Sequence, residues 1–195
     1  MSLHFITDLG DQAVILPLML ATGLTLLLVG WWRGAAAWFL AVPGTLGVVL
    51  VAKLSTIACQ DLMPPIGLLS PSGHTASAAV VYGGVLALLF GFGRHRLVLA
   101  ALSGLAVAVL VGFTRWALDV HTLADVLAGG LLGTVGTVAL AWLAGPRPAL
   151  QRNWIGLAAA MLAIVVLFHG RHVYAEMHIN RAAQQIWPLS LCAAP

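Results

Sequence analysis

Apolar residues in this chain fall in long unbroken runs, not at alternating positions. Between charged residues and residues suited to chemistry lie six such runs, at 12–32, 34–52, 75–93, 97–114, 126–145 and 153–168, and all but the last reach 18 residues. About 20 helical residues, rising ~1.5 Å each, cross the ~30 Å hydrocarbon core of a bilayer. The pattern therefore predicts an all-α polytopic membrane protein with six transmembrane helices. The sixth run is short and must borrow His169 and Gly170, so five helices and a re-entrant segment is the alternative. Barrel strands are excluded because they alternate in polarity. Pro43 lies inside the second run, where a kink is expected and tolerated. Asp8 and Asp11 stand where a signal peptide has a basic segment, so the first helix is expected to be retained. With no repeat and no linker, residues 1–195 read as a single domain, with its motifs at about 53–133 and a tail at about 170–195.

Composition makes lipid the solvent. Apolar residues are 61% of the chain and charged residues 8%, against about a quarter charged in a soluble domain. Such a chain is not disordered. A net charge of +3, spread thinly, makes no basic stripe and excludes nucleic acid as a partner.

Charge also orients the helices. One set of turns holds Arg33, Arg94, Arg96, Arg147 and Arg152 and no acid, whereas the other end holds Lys53, Arg115, Arg171 and Arg181 with all six acids. Basic residues near the spans favour the cytoplasm. Both termini are therefore expected outside it, with the protein in the plasma (inner) membrane.

The acid-bearing end also gathers the residues capable of chemistry. Lys53 closes the second run, Pro71-Ser72-Gly73-His74 opens the third, and Arg115, His121 and Asp125 lie between the fourth and fifth. Any one of them alone would be a helix-end anchor. Together they suit a phosphate: Lys53 and Arg115 neutralise it, Ser72 and the free N–H groups of a helix start donate to it, and Gly73 permits close approach. His121 and Asp125, four residues apart, share a helix face. A carboxylate on one imidazole nitrogen fixes the tautomer and frees the other nitrogen to attack. His74 is suited to protonate the leaving oxygen. Such a site needs no metal and no cofactor.

Pro71-Ser72-Gly73-His74 and Arg115-x5-His121-x3-Asp125 resemble the second and third signatures of the type 2 phosphatidic acid phosphatase superfamily, over roughly residues 53–133. The resemblance implies that His121 becomes phosphorylated, that His74 is the acid, that Asp125 orients His121, and that Lys53, Ser72, Gly73 and Arg115 hold the phosphate. It also implies a six-helix fold with an outward-facing site. The first signature departs from the family, because Gln60 and Asp61 stand where Arg-Pro is usual. Gln60 can still donate neutral hydrogen bonds to the phosphate, and Thr114 replaces the usual Ser. Small members of the family often act on undecaprenyl pyrophosphate; phosphatidic acid and phosphatidylglycerol phosphate are the alternatives, chosen among by analogy. A non-hydrolytic phospholipid binder or transporter is the reading of another class. A haloperoxidase with a similar cradle is soluble, and a proton-coupled transporter would place its ionisable groups nearer the midplane.

Other features carry plainer expectations. His169, His172 and Glu176 fall at helical spacing, with His178 nearby; a wet helix face is expected there over a metal site. The tryptophans, mostly near run ends, fit an interfacial belt. Gly129, Gly130, Gly133 and Gly136 permit close helix packing. Cys59 and Cys192 share the outer side and could form a disulfide.

Overall fold

The computed structural model describes residues 3–59, 68–90, 93–146, 154–173 and 175–186. Every regular element among them is helical: α1 (Leu3–Asp8), α2 (Gln12–Leu28), α3 (Trp32–Ala58), α4 (Gly73–Ala78), α5 (Gly84–Phe90), α6 (Arg96–Ala117), α7 (Leu123–Ala144), α8 (Trp154–Phe168) and α9 (Ala175–Ile186). A π turn, Ala79–Gly83, joins α4 to α5, making one rod of Gly73–Phe90.

Trp32–Ile57, Gly73–Phe90, Gly93–Ala117 and Leu123–Ala144 are long and apolar enough to cross a membrane. The other two runs give shorter helices, 17 residues in α2 and 15 in α8. Glycines in the left-handed region set both ends. Gly30 (φ 78°) follows α2, where the N–H of Trp31 reaches back to Leu26 at 2.9 Å and that of Gly30 to Leu27 at 2.9 Å. This Schellman closure stops the helix short of Trp32. Gly170 (φ 78°) closes α8, so the helix ends at Phe168 without borrowing His169 and Gly170. Conversely, α3 runs on past Lys53, and Pro43 lies within it.

The rods alternate in direction, so one end of the bundle collects the starts of α2, α4 and α7 and the ends of α3, α6 and α8. At the opposite end the Arg33 guanidinium donates to the carbonyl of Leu143 at 2.8 Å. The core lies along α2, α3, the π turn and α7, with Ile15, Leu18, Trp38, Val42, Val80, Val81 and Leu140 fully buried. Trp38 is thus a core residue and not part of a belt, its indole N–H satisfied by the carbonyl of Met19 at 2.9 Å; Trp31 is buried as well. Trp32, Trp116 and Trp142 are half exposed or more. So are Leu102, Leu105 and Val109 on α6 and Leu127, Leu131 and Val135 on α7. A soluble domain does not present such continuous apolar faces; these are membrane helices.

Close packing draws the motif-bearing helices together. A Cβ on Gly129 would strike the carbonyl oxygen of Ser72, and one on Gly133 would lie 2.6 Å from that of Ala76. A Cβ on Gly136 would overlap the Thr45 hydroxyl. The glycine face of α7 therefore serves packing within the chain, bringing α7 against α4 at the Pro-Ser-Gly-His turn.

Candidate active site

The nucleophile candidate sits at a helix start that builds its own clamp. Thr122 caps α7, its hydroxyl accepting from the Asp125 N–H at 3.1 Å, while Asp125 Oδ2 accepts from the Thr122 N–H at 3.2 Å. This reciprocal pair is a capping box. The same Oδ2 lies 3.3 Å from His121 Nδ1. Oδ1 accepts from the N–H groups of Leu69 (2.9 Å) and Ser70 (2.8 Å), and the Asp125 carbonyl accepts from the Ser72 N–H at 2.9 Å. One residue thus joins the start of α7 to the turn before α4. A carboxylate so surrounded is an acceptor only, which assigns the proton to His121 Nδ1 and leaves Nε2 with its lone pair.

The turn before His121 is equally specified. Asp119 takes the left-handed conformation (φ 54°), and the N–H of Val120 reaches the carbonyl of Arg115 at 3.2 Å. This reversal carries His121 back over the end of α6. Its side chain is only 8% exposed. Burial lowers its pKa from 6.5, the positive charges of Lys53 and Arg115 lower it further, and Asp125 opposes them in part. His121 is therefore a neutral base at neutral pH.

His74 has its own carboxylate. Its Nε2 lies 3.7 Å from Oδ2 of Asp11, which caps α2. The other Asp11 oxygen accepts from the N–H groups of Ala13 (2.8 Å) and Val173 (3.1 Å), and His172 Nδ1 approaches Oδ2 at 3.5 Å. Burial would raise the Asp11 pKa, but the His74 contact and these N–H bonds outweigh it and hold the group at about 2. Asp11 is thus a fixed anion beside His74.

Lys53 and Arg115 complete the arrangement. Lys53 is 2% exposed and donates to the Ser70 hydroxyl at 3.1 Å and to Glu176 at 2.6 Å. Its Cε would stand 3.3 Å from a Cβ at Gly73, so the glycine makes room for the lysine. Arg115 donates to the Thr7 hydroxyl at 3.2 Å, and its Nε is buried with no hydrogen-bond partner among the described residues. Lys53, Gly73 and His74 line a cavity of about 200 Å³ whose apolar side is Leu46, Val49, Leu50 and Ile179.

The expected residues are thus brought to one end of the bundle, with two qualifications. Ser72 is fully buried as the cap of α4, its hydroxyl oxygen accepting from the Thr75 hydroxyl at 2.9 Å. Gln60, with Asp61, lies outside the described residues. The Thr114 hydroxyl donates to the Val111 carbonyl at 2.7 Å within its own helix.

Two acids escaped the sequence reading. Asp11 shows in sequence only the signature of a helix cap, an Asp before an apolar run. The helical spacing of Glu176 with His169 and His172 does not bring the three together: Glu176 meets Lys53, His172 meets Asp11, and His169 Nε2 contacts the carbonyl of Phe5 at 3.0 Å. No metal-binding cluster of His, Cys, Asp or Glu occurs among the described residues. Cys59 is disulfide-bonded; the chain's other cysteine, Cys192, lies outside the described residues.

An uncharacterized 22.5 kDa protein in the cps region of Klebsiella pneumoniae is 27% identical over 197 residues, spanning 97% of this chain and 93% of that protein. No solved structure matches. Residues 56–148 match the model of the PAP2 superfamily, a stretch that holds Ser72, Gly73, His74, Arg115, His121 and Asp125, and that match bears out the resemblance to the type 2 phosphatidic acid phosphatase superfamily.

Proposed function

We propose that this chain is an integral-membrane lipid phosphatase working through a phosphohistidine, with undecaprenyl pyrophosphate as its first substrate and phosphatidic acid or phosphatidylglycerol phosphate as alternatives. The match to the model of a superfamily of phosphatases supports a phosphoric ester hydrolase. The observation that carries the finer reading is the pair of histidines, each on its own buried carboxylate: His121 on Asp125 and His74 on Asp11. One is set to attack and the other to donate.

In the first step the Nε2 lone pair of His121 forms a bond to phosphorus as the bond from phosphorus to the leaving oxygen breaks. His74 gives its proton to that oxygen. Lys53, Arg115 and the N–H groups at the start of α4 hold the phosphoryl oxygens, with Gln60 as a neutral donor. Water then attacks the phosphorus, His74 takes its proton, and the P–N bond breaks to return neutral His121 and inorganic phosphate. Positioning and fixed charge carry most of the acceleration, and no metal takes part.

The apolar side of the cavity supports a lipid chain lying beside the phosphate, along Leu46, Val49 and Leu50 of α3. In this reading α2 and α8 complete a six-helix membrane domain spanning residues 1–195, in the inner membrane, with the site facing the periplasm or exterior. Arg33, Arg94 and Arg96 at the opposite end support that orientation.

The test is phosphate release from undecaprenyl pyrophosphate and phosphatidic acid in parallel, in EDTA, with His121→Ala as the blank. Release that survives EDTA and is lost in a folded His121→Ala protein is expected. Wild-type turnover by that variant would remove the nucleophile assignment.

A further inference from the structure

The charged end of the bundle already holds an anion of its own. Glu176, at the start of α9, places Oε1 2.6 Å from Lys53 Nζ. The same oxygen would stand 3.9 Å from a Cβ on Gly73, and so lies over the start of α4. Its charge is also felt by Arg115. Glu176 lines the cavity together with Lys53, Gly73 and His74. A carboxylate bonded to the lysine and lying over the helix start occupies the position argued above for a phosphoryl oxygen. Glu176 is 42% exposed whereas Lys53 is 2% exposed, so the carboxylate can leave towards solvent and the lysine cannot follow. Ahead of α9, Val173 and His172 touch Asp11.

We propose that Glu176 is a tethered competitor for the phosphate cradle, closing it until a terminal phosphate displaces the carboxylate and keeping out the phosphodiesters of surrounding lipids. The proposal rests on reading Lys53, Gly73 and Arg115 as that cradle. Charge decides the exchange. A terminal phosphate carries between one and a half and two negative charges near pH 7 and has three free oxygens to share between Lys53 and Arg115. A phosphodiester carries one charge, the same as Glu176, and must compete with a group whose tether gives it a millimolar effective concentration.

The experiment measures binding of inorganic phosphate by calorimetry to the detergent-purified full chain, as wild type, Glu176→Gln and Glu176→Asp. It is paired with KM for the lipid substrate and with inhibition by phosphatidylglycerol in mixed micelles. Glu176→Gln is expected to bind phosphate about tenfold more tightly, to lower KM in parallel, and to become sensitive to phosphatidylglycerol that leaves wild type unaffected. Glu176→Asp, one methylene shorter and still charged, is expected to fall between and serves if the Gln protein fails to fold. Unchanged or weaker phosphate binding, or a raised KM, would overturn the proposal and leave Glu176 as a structural partner of Lys53. Equal phosphatidylglycerol inhibition of all three proteins would overturn the exclusion of phosphodiesters. Tighter phosphate binding without hydrolysis by any variant would sink the phosphatase reading alone; hydrolysis without tighter binding would sink this one alone.

Discussion

The two histidines lie in halves of the candidate site that are built differently. His121 and its carboxylate lie four residues apart on a single helix start, and Asp125 is held by the backbone of residues 69, 70 and 122. His74 meets a carboxylate 63 positions away in the chain, and that carboxylate is held in turn by Val173, 162 positions beyond it. The half proposed to hold the nucleophile is part of how two helices begin. The half proposed to hold the acid is assembled from segments near both ends of the chain, and is expected to loosen without the bundle coming apart.

Substitutions at the two carboxylates should separate these halves. Asp125→Ala leaves three part-buried backbone N–H groups, of Leu69, Ser70 and Thr122, without their acceptor, at a cost of about 1 kcal/mol or more in total. It is expected to abolish turnover and to lower the melting temperature together, in a thermal melt run beside the activity assay. Asp11→Asn is expected to cut kcat by about 10²-fold, within the range for removing an oriented general acid. The bundle should stay folded while the chain beyond Gly170 becomes open to protease. If Asp11→Asn melted the protein as Asp125→Ala does, the contrast between the halves would be broken.

A smaller effect probes what sets the nucleophile half in place. Gly129→Ala forces a methyl against the Ser72 carbonyl, and overpacking of this kind costs about 1–3 kcal/mol. The predicted outcome is a lower melting temperature and a raised KM, because the Pro-Ser-Gly-His turn must shift. An unperturbed Gly129→Ala protein would show that the helices do not meet there.

The smallest effect is a displaced pH profile. Burial, aided by Lys53 and Arg115, sets the His121 pKa below 6.5, so kcat/KM should hold its plateau below that pH and fall only as His121 gains a proton. Lys53→Met removes one of the charges that keep the proton off, and the acid limb should move to higher pH. By linkage the unfolded chain binds the proton more readily than the folded one, so this group's contribution to stability is complete above about 6.5 and declines below it. An acid limb that stays in place in Lys53→Met would separate the lysine from the histidine.

How much of this was legible in the sequence follows the same division. His121 and Asp125 could be paired from spacing alone because a helix places i and i+4 on one face. The apolar runs located the rods because lipid leaves the chain few choices. Helix ends were less legible: the run to Trp32 contains Gly30, whose left-handed turn ends α2 at Leu28, and hydropathy does not register a backbone angle. Asp11 and Glu176 had no local signature as site residues, since what gives them their place is contact across most of the chain. Trp38 went to the core because its N–H found the carbonyl of Met19, a partner that no composition rule supplies.

Asp125 has a consequence for any preparation of this protein. The carboxylate that aims His121 is the one that ties α7 to the turn before α4, so a molecule cannot complete that junction and leave the imidazole unaimed. With His121 as the proposed nucleophile, failure of that junction is then expected to lower the folded yield and the specific activity together.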